Sequence, residues 1–266
     1  MIGIWLNVLS LKNSKDSVEQ LYGDDVLKHF PNYEKFWVEF IGNPKADQVE
    51  PYKYRYPDNM TTEERNRIEK SYLKIRMSHY TLFCHLAGAH FQEKELKNAR
   101  SVKDPNEKYF RCCEHFEAAY MHIGSAFYVL ATLWNTVLKL IEHREGGRGF
   151  DKLERFLNAK GKSELVKGLK EIDEDIMNRR HLPVHYGRVI AMWYQGEMYV
   201  PLKVREEMLW SQGNETTEWR RSDSQLHSDL VQTEKLINEL HEILIEEYRG
   251  FITSKNIVID HGEKMK

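Results

Sequence analysis

The chain has 266 residues, 30% of them charged and 41% hydrophobic, a balance that excludes a disordered or fibrous protein. Its formal net charge of −2 excludes a protein that coats nucleic acid through a generally basic surface, though it leaves room for a local RNA site. Seven prolines and fifteen glycines are few for this length and helix formers abound, so the fold class is all-α. Cys84, Cys112 and Cys113 are odd in number and lack a framework spacing, which points to reduced thiols in a cytoplasmic protein.

From the start of the chain, Met1 to Leu11 is apolar but about half the length that spans a bilayer, and it lacks the basic region of a signal peptide. It reads as a segment docked on the core, with no membrane association. Asp16 to Gly42 carries Leu21, Val26, Phe30, Phe36, Trp37, Phe40 and Ile41, enough for one or two short helices. Pro44, Pro51 and Pro57 then impose an irregular connection from Asn43 to Met60. Tyr52, Tyr54 and Tyr56 alternate there with Lys53 and Arg55, a pattern that suits tyrosines packing a loop onto helices better than a platform for bases.

Thr61 with Glu64 three residues on forms a capping box, and Ile68, Tyr72, Ile75, His79, Leu82, Leu86 and Ala89 follow at helical spacing as far as the neighbourhood of Leu96. Asp104-Pro105 announces a second long helix, about 40 residues or on the order of 58 Å. Its stripe runs from Cys113 through Phe116, Tyr120, Ile123, Phe127, Leu130, Trp134 and Val137 to Ile141, and Gly146, Gly147 and Gly149 stop it. A short amphipathic piece covers Phe150 to Leu157, and Ser163 opens a helix with Leu165, Leu169, Ile172 and Ile176 inward. Trp193 to Val200 alternates around Gly196 as a small β-hairpin, and Trp219-Arg220-Arg221 reads as a loop packed by its tryptophan. A last helix from Ser222 carries Leu226, Leu230, Ile237, Leu240, Leu244, Tyr248 and Phe251, and the tail past Asp260 is loose. The domain reading is residues 1–60 as N-terminal helical and loop decoration, 61–260 as a bundle of long antiparallel helices with a β-hairpin insert, and 261–266 as tail.

Chemistry concentrates in Asn178-Arg179-Arg180-His181-Leu182-Pro183-Val184-His185-Tyr186-Gly187. An arginine holds negative charge and a histidine moves a proton near neutral pH, a combination that suits phosphate chemistry. On one unbroken helix Arg180 and His185 would point about 140° apart. Pro183 should end or kink the helix between them. Alternatively, two copies of the segment could face each other across a two-fold axis.

Set at a helix junction in an all-α chain, Arg180-x4-His185 resembles the motif of the HEPN superfamily. The resemblance implies a HEPN-like helical bundle over 61–260 and a homodimer whose paired motifs form the site. It further implies a metal-independent endoribonuclease, with no cofactor, in a defence or toxin–antitoxin system and with an antitoxin or other protein partner. Arg180 matches the motif arginine and His185 the motif histidine, while His181 stands where asparagine is usual. In that role His185 transfers the proton of a 2′-hydroxyl attack and Arg180 holds the phosphate oxygens. His181 would orient substrate or share the proton work, Asn178 and Tyr186 would steady the ring, and Arg179 and Arg188 would bind flanking phosphates. The alternative is a non-catalytic HEPN-like module that binds nucleotide, RNA or a protein partner. A purely structural role, with Arg180 capping carbonyls at a helix end, also stays open.

His181 and His185 have the spacing of two helical metal ligands, but no adjacent glutamate accompanies them and Asp173 or Asp175 would have to complete a site. The assignment is metal: none. His79, Cys84, His85, His90, Cys112, Cys113, His115 and His122 scatter over the two long helices and read as core or surface members. Phosphate-binding glycine loops, dinucleotide fingerprints and serine-hydrolase elbows have no match in the sequence.

Overall fold

The computed structural model describes residues 28–42, 52–142, 149–186, 190–204 and 218–260, without the side chains of 142 and 181–186. Six helices and five short strands lie among the described residues. The expectations for Met1–Leu11, for the glycine stop at 146–147 and for the tail past Asp260 fall outside them.

Helix α1 (Pro31–Phe40) precedes strand β1 (Lys53–Arg55) and the two long helices α2 (Thr62–Ala99) and α3 (Pro105–Glu142). Thr61 is extended and its hydroxyl accepts the Glu64 amide at 3.2 Å, so the anticipated cap starts α2. Asp104 accepts the amides of Asn106 at 2.9 Å and Glu107 at 2.8 Å, with proline first in α3. Each long helix has 38 residues. They run antiparallel: Gln92 meets His115 and, a few residues back on α2, His85 meets His122 further along α3.

Next come α4 (Asp151–Ala159) and α5 (Ser163–Tyr186), then β2 (Met192–Tyr194) and β3 (Glu197–Pro201). Strand β4 (Trp219–Arg221) leads into α6 (Ser222–Ser254), and β5 (Val258–Asp260) ends the described chain. The inward stripe of α6, Leu226, Leu230, Ile237, Leu240, Leu244 and Tyr248, is buried among residues of the other helices. It touches α1, α2, α3 and α5 and so forms the axis of the bundle. Phe30, Phe36 and Ile41 are fully buried in that same core.

The hairpin is present, and it has a third strand. The order is β2-β3-β4, antiparallel, with Trp193 opposite Met198 and Val200 opposite Arg220. Gln195 (φ 50) and Gly196 (φ 74) make the β2–β3 turn in the left-handed region that suits the twist of the flanking strands. Trp219-Arg220-Arg221 is therefore an edge strand, not the loop its sequence suggests. Arg100 fastens this sheet to the bundle, bonding Glu197 at 2.8 Å and Asp223 at 2.7 Å.

A second sheet joins β1 to β5, with Tyr54 opposite Ile259. Tyr54 hydroxyl donates to the Phe40 carbonyl at 3.2 Å and lies 3.1 Å from the Tyr248 hydroxyl, while its ring sits 4.4 Å from that of Tyr72. The tyrosines thus pack this connection onto the helices. By length and composition α3 could cross a membrane, but 67% of its most apolar window is buried in the fold, as in a core helix.

Candidate functional site

The motif lies on α5. Ile176 is 1% exposed and faces the core, which places Arg179 inward and Arg180 at the edge of the buried stripe. The helix continues to Tyr186, through Pro183, so the expected break between Arg180 and His185 is absent. Proline removes one amide donor and crowds the Arg179 carbonyl, yet the backbone on either side stays helical. The two positions therefore stand about 140° apart around one helix. The side chains of His181, His185 and Tyr186, and the whole of Arg188, lie outside the described residues.

Two of the proposed supporting residues have partners inside the fold. The Arg179 side chain is 1% exposed and lies 3.0 Å from Asp175 and 3.5 Å from Asp229. Its Nη2 donates to the Leu202 carbonyl at 2.6 Å, and its guanidinium lies over the Tyr120 ring at 5.6 Å. Tyr120 hydroxyl donates to Asp229, which also accepts from Gln225 at 2.8 Å. A charge removed from water needs such partners; Nη1 has no hydrogen-bond partner among the described residues, but it is buried away from solvent. Asn178 is likewise engaged, donating to the Val204 carbonyl at 3.2 Å. Both residues pin the chain that leaves β3.

Arg180 differs. Its aliphatic stem crosses α3 at Gly124, where an added Cβ would come within 2.5 Å of Cδ and 3.4 Å of Nε. Only glycine permits that approach. Among the described residues, no carboxylate forms an ion pair with Arg180.

Two residues from Gly124 stands His122. Its Nδ1 lies 3.4 Å from Nδ1 of His85 on α2, and the ring centroids are 5.7 Å apart at 54°. Gly88 makes room for the His122 ring, since a Cβ there would fall 2.6 Å from Cε1 and 2.7 Å from Nδ1. Burial, then the neighbouring His122, then the positive Arg180 lower the pKa of His85. Burial lowers that of His122. Both rings are therefore neutral at pH 7, and one donates to the other. From sequence these histidines read as core or surface members of the two long helices. The only local signal was a glycine near each, His85 with Gly88 and His122 with Gly124, and it gains meaning once α2 and α3 are paired.

His79, His241, His90, His29 and His227 belong to the packing and ion pairs of the bundle. His79 and His241 are fully buried against Tyr33 and Phe36, and Tyr33 stacks on His79 at 3.8 Å. At the α2–α6 contact His90 lies 2.8 Å from Glu234 and 3.9 Å from Glu93. His29 reaches Glu234 at 3.3 Å and His227 reaches Glu93 at 2.9 Å. This is a ladder of alternating imidazole and carboxylate. Among the described residues no group of three or more such side chains is arranged to hold a metal ion.

Comparison with protein-family models, with curated proteins and with solved structures finds no match. The HEPN resemblance thus rests on the motif residues and the helical setting. What the described residues bring together is an arginine without a carboxylate partner and a hydrogen-bonded pair of neutral imidazoles, presented by α5, α3 and α2.

Proposed function

We propose that the protein is a metal-independent endoribonuclease of HEPN type that cleaves RNA through attack of the 2′-hydroxyl on the adjacent phosphorus. The observation that carries this reading is the contrast between neighbouring arginines. Arg179 is consumed by two aspartates and a carbonyl, whereas Arg180 is held beside Gly124 without a described carboxylate. A guanidinium left in that state is suited to an external phosphate, which it can bind through two parallel hydrogen bonds. For His185 to serve the same phosphate, the continuous α5 calls for a second copy across a two-fold axis. RNA specificity comes from the required 2′-hydroxyl.

The test is incubation of the purified chain with mixed RNA in excess chelator. Wild type should yield 2′,3′-cyclic phosphate ends, and Arg180→Ala should lower the rate roughly 10²–10³-fold, the usual cost of losing a group that stabilises transition-state charge. Full cleavage in both Arg180→Ala and His185→Ala removes the motif from the reaction.

A second reading, a non-catalytic module that binds RNA, nucleotide or a protein partner, is favoured by the outward faces of α2 and α3. Leu73, Met77, Tyr80, Phe110 and Tyr128 are exposed there, Tyr128 at 75%. Stable RNA binding without any cleavage by wild type selects this reading over the first.

A further inference from the structure

We propose that His85 and His122 form the acid–base pair for a phosphodiester held by Arg180 of the same chain. This rests on the phosphodiester reading above, but replaces its proton carrier with a pair that the sequence motif does not contain.

Three observations converge. The Nδ1 atoms of the two rings lie 3.4 Å apart, so each ring is oriented by the other and each Nε2 remains for a substrate. Both side chains are only partly buried, as is Arg180, so a ligand can reach all three. Finally, two glycines admit them: Gly88 lets the His122 ring lie against α2, and Gly124 lets the Arg180 stem cross α3. Alanine at either site would collide with a side chain of this trio. Core packing alone gives no reason for two half-buried histidines and an arginine to converge at two glycines.

The chemistry balances with both rings neutral: one carries its proton on Nδ1, donates it to Nδ1 of the other and keeps Nε2 bare, while the other carries its proton on Nε2. The bare Nε2 takes the 2′-hydroxyl proton as the 2′-oxygen bonds to phosphorus, and the shared Nδ1 proton passes to the second ring. That ring gives its Nε2 proton to the departing 5′-oxygen as that phosphorus–oxygen bond breaks. The products are a 2′,3′-cyclic phosphate and a free 5′-hydroxyl. Both rings end neutral with their tautomers exchanged, and proton exchange with water restores the starting state. Arg180 offsets the charge that builds on the nonbridging oxygens.

Among the described residues, the charged or titratable groups acting on the pair are the rings themselves and Arg180, from α2, α3 and α5. Because burial and the guanidinium disfavour protonation, the neutral pair persists below pH 6.5, and the rate should hold through neutrality and fall only on the acid side of 6.5.

Two measurements test the assignment. In the first, kcat and KM for RNA are followed from pH 4.5 to 8 for wild type, His85→Gln, His122→Gln and His185→Ala. We expect each glutamine variant to lose roughly 10²–10⁴-fold in kcat, with KM little changed and the acid-side fall of the pH profile displaced. The double variant should be hardly worse than either single one, because the pair acts as a unit. The second measurement uses the unmutated chain: the imidazole proton resonances are followed by NMR as uridine 3′-monophosphate is added. Those of His85 and His122 should move and titrate at higher pH, while that of His115 stays in place. Normal kcat and pH profile in both glutamine variants, with His185→Ala inactive, overturns this assignment and leaves the proposed nuclease standing. No cleavage by wild type, with unmoved His85 and His122 resonances, overturns both.

Discussion

Arg179 and Arg180 are chemically identical neighbours about 100° apart on one helix, and that rotation alone separates their fates. Arg179 turns inward to Asp175, Asp229 and the Leu202 carbonyl, while Arg180 turns toward Gly124. Replacing Arg179 with Ala leaves buried Asp229 without its cation, and the expected loss is about 3–5 kcal/mol. A urea unfolding midpoint unchanged in Arg179→Ala would contradict this account. Sequence marks both arginines as candidates and cannot rank them, because the partners that consume Arg179 come from α6 and from the chain after β3. Arg180 is legible through its position relative to Ile176. His85 and His122 are not, because their pairing is a property of two helices packed together.

At the level of elements, the long helices are legible because caps and stripes are local: Thr61, Asp104-Pro105 and Ser163 each stand at a helix start. Strands β1, β4 and β5 are not, because three residues carry no usable alternation and their partners are distant in sequence. Pro183 misleads in the other direction, since its cost is local while the helix around it is kept. The close crossing of α5 over α3 makes its own prediction. Gly124→Ala should improve α3 by up to about 1 kcal/mol of intrinsic helix propensity, yet push the Arg180 stem aside. RNA cleavage should fall at least tenfold while far-ultraviolet circular dichroism stays unchanged. A fully active Gly124→Ala protein would show that Arg180 has no need of this seat.

Across the whole molecule, two buried histidine groups give stability opposite pH dependences. Burial pushes His241 down to about 4 and His79 well below its usual range. Both titrate near 6.5 once unfolded, so their contribution is complete above pH 6.5 and drains away as pH falls toward 4. For His241 this is on the order of 3 kcal/mol. At His90 burial works downward, but Glu234 and Glu93 overcome it and raise the ring to about 9. That contribution is complete below pH 6.5 and is lost as pH climbs through 9. Urea midpoints should therefore peak near pH 6.5, with His241→Phe flattening the acid side and His90→Gln the alkaline side. Equal wild-type midpoints at pH 4.5 and 6.5 would refute the acid half. The pairing of β1 with β5 adds a kinetic dimension. The helices can form from neighbours in sequence, but Lys53 must find Asp260 across nearly the whole described chain. Closing so long a loop is slow, so this clasp should be the last piece to lock during folding and the first place where the finished molecule opens.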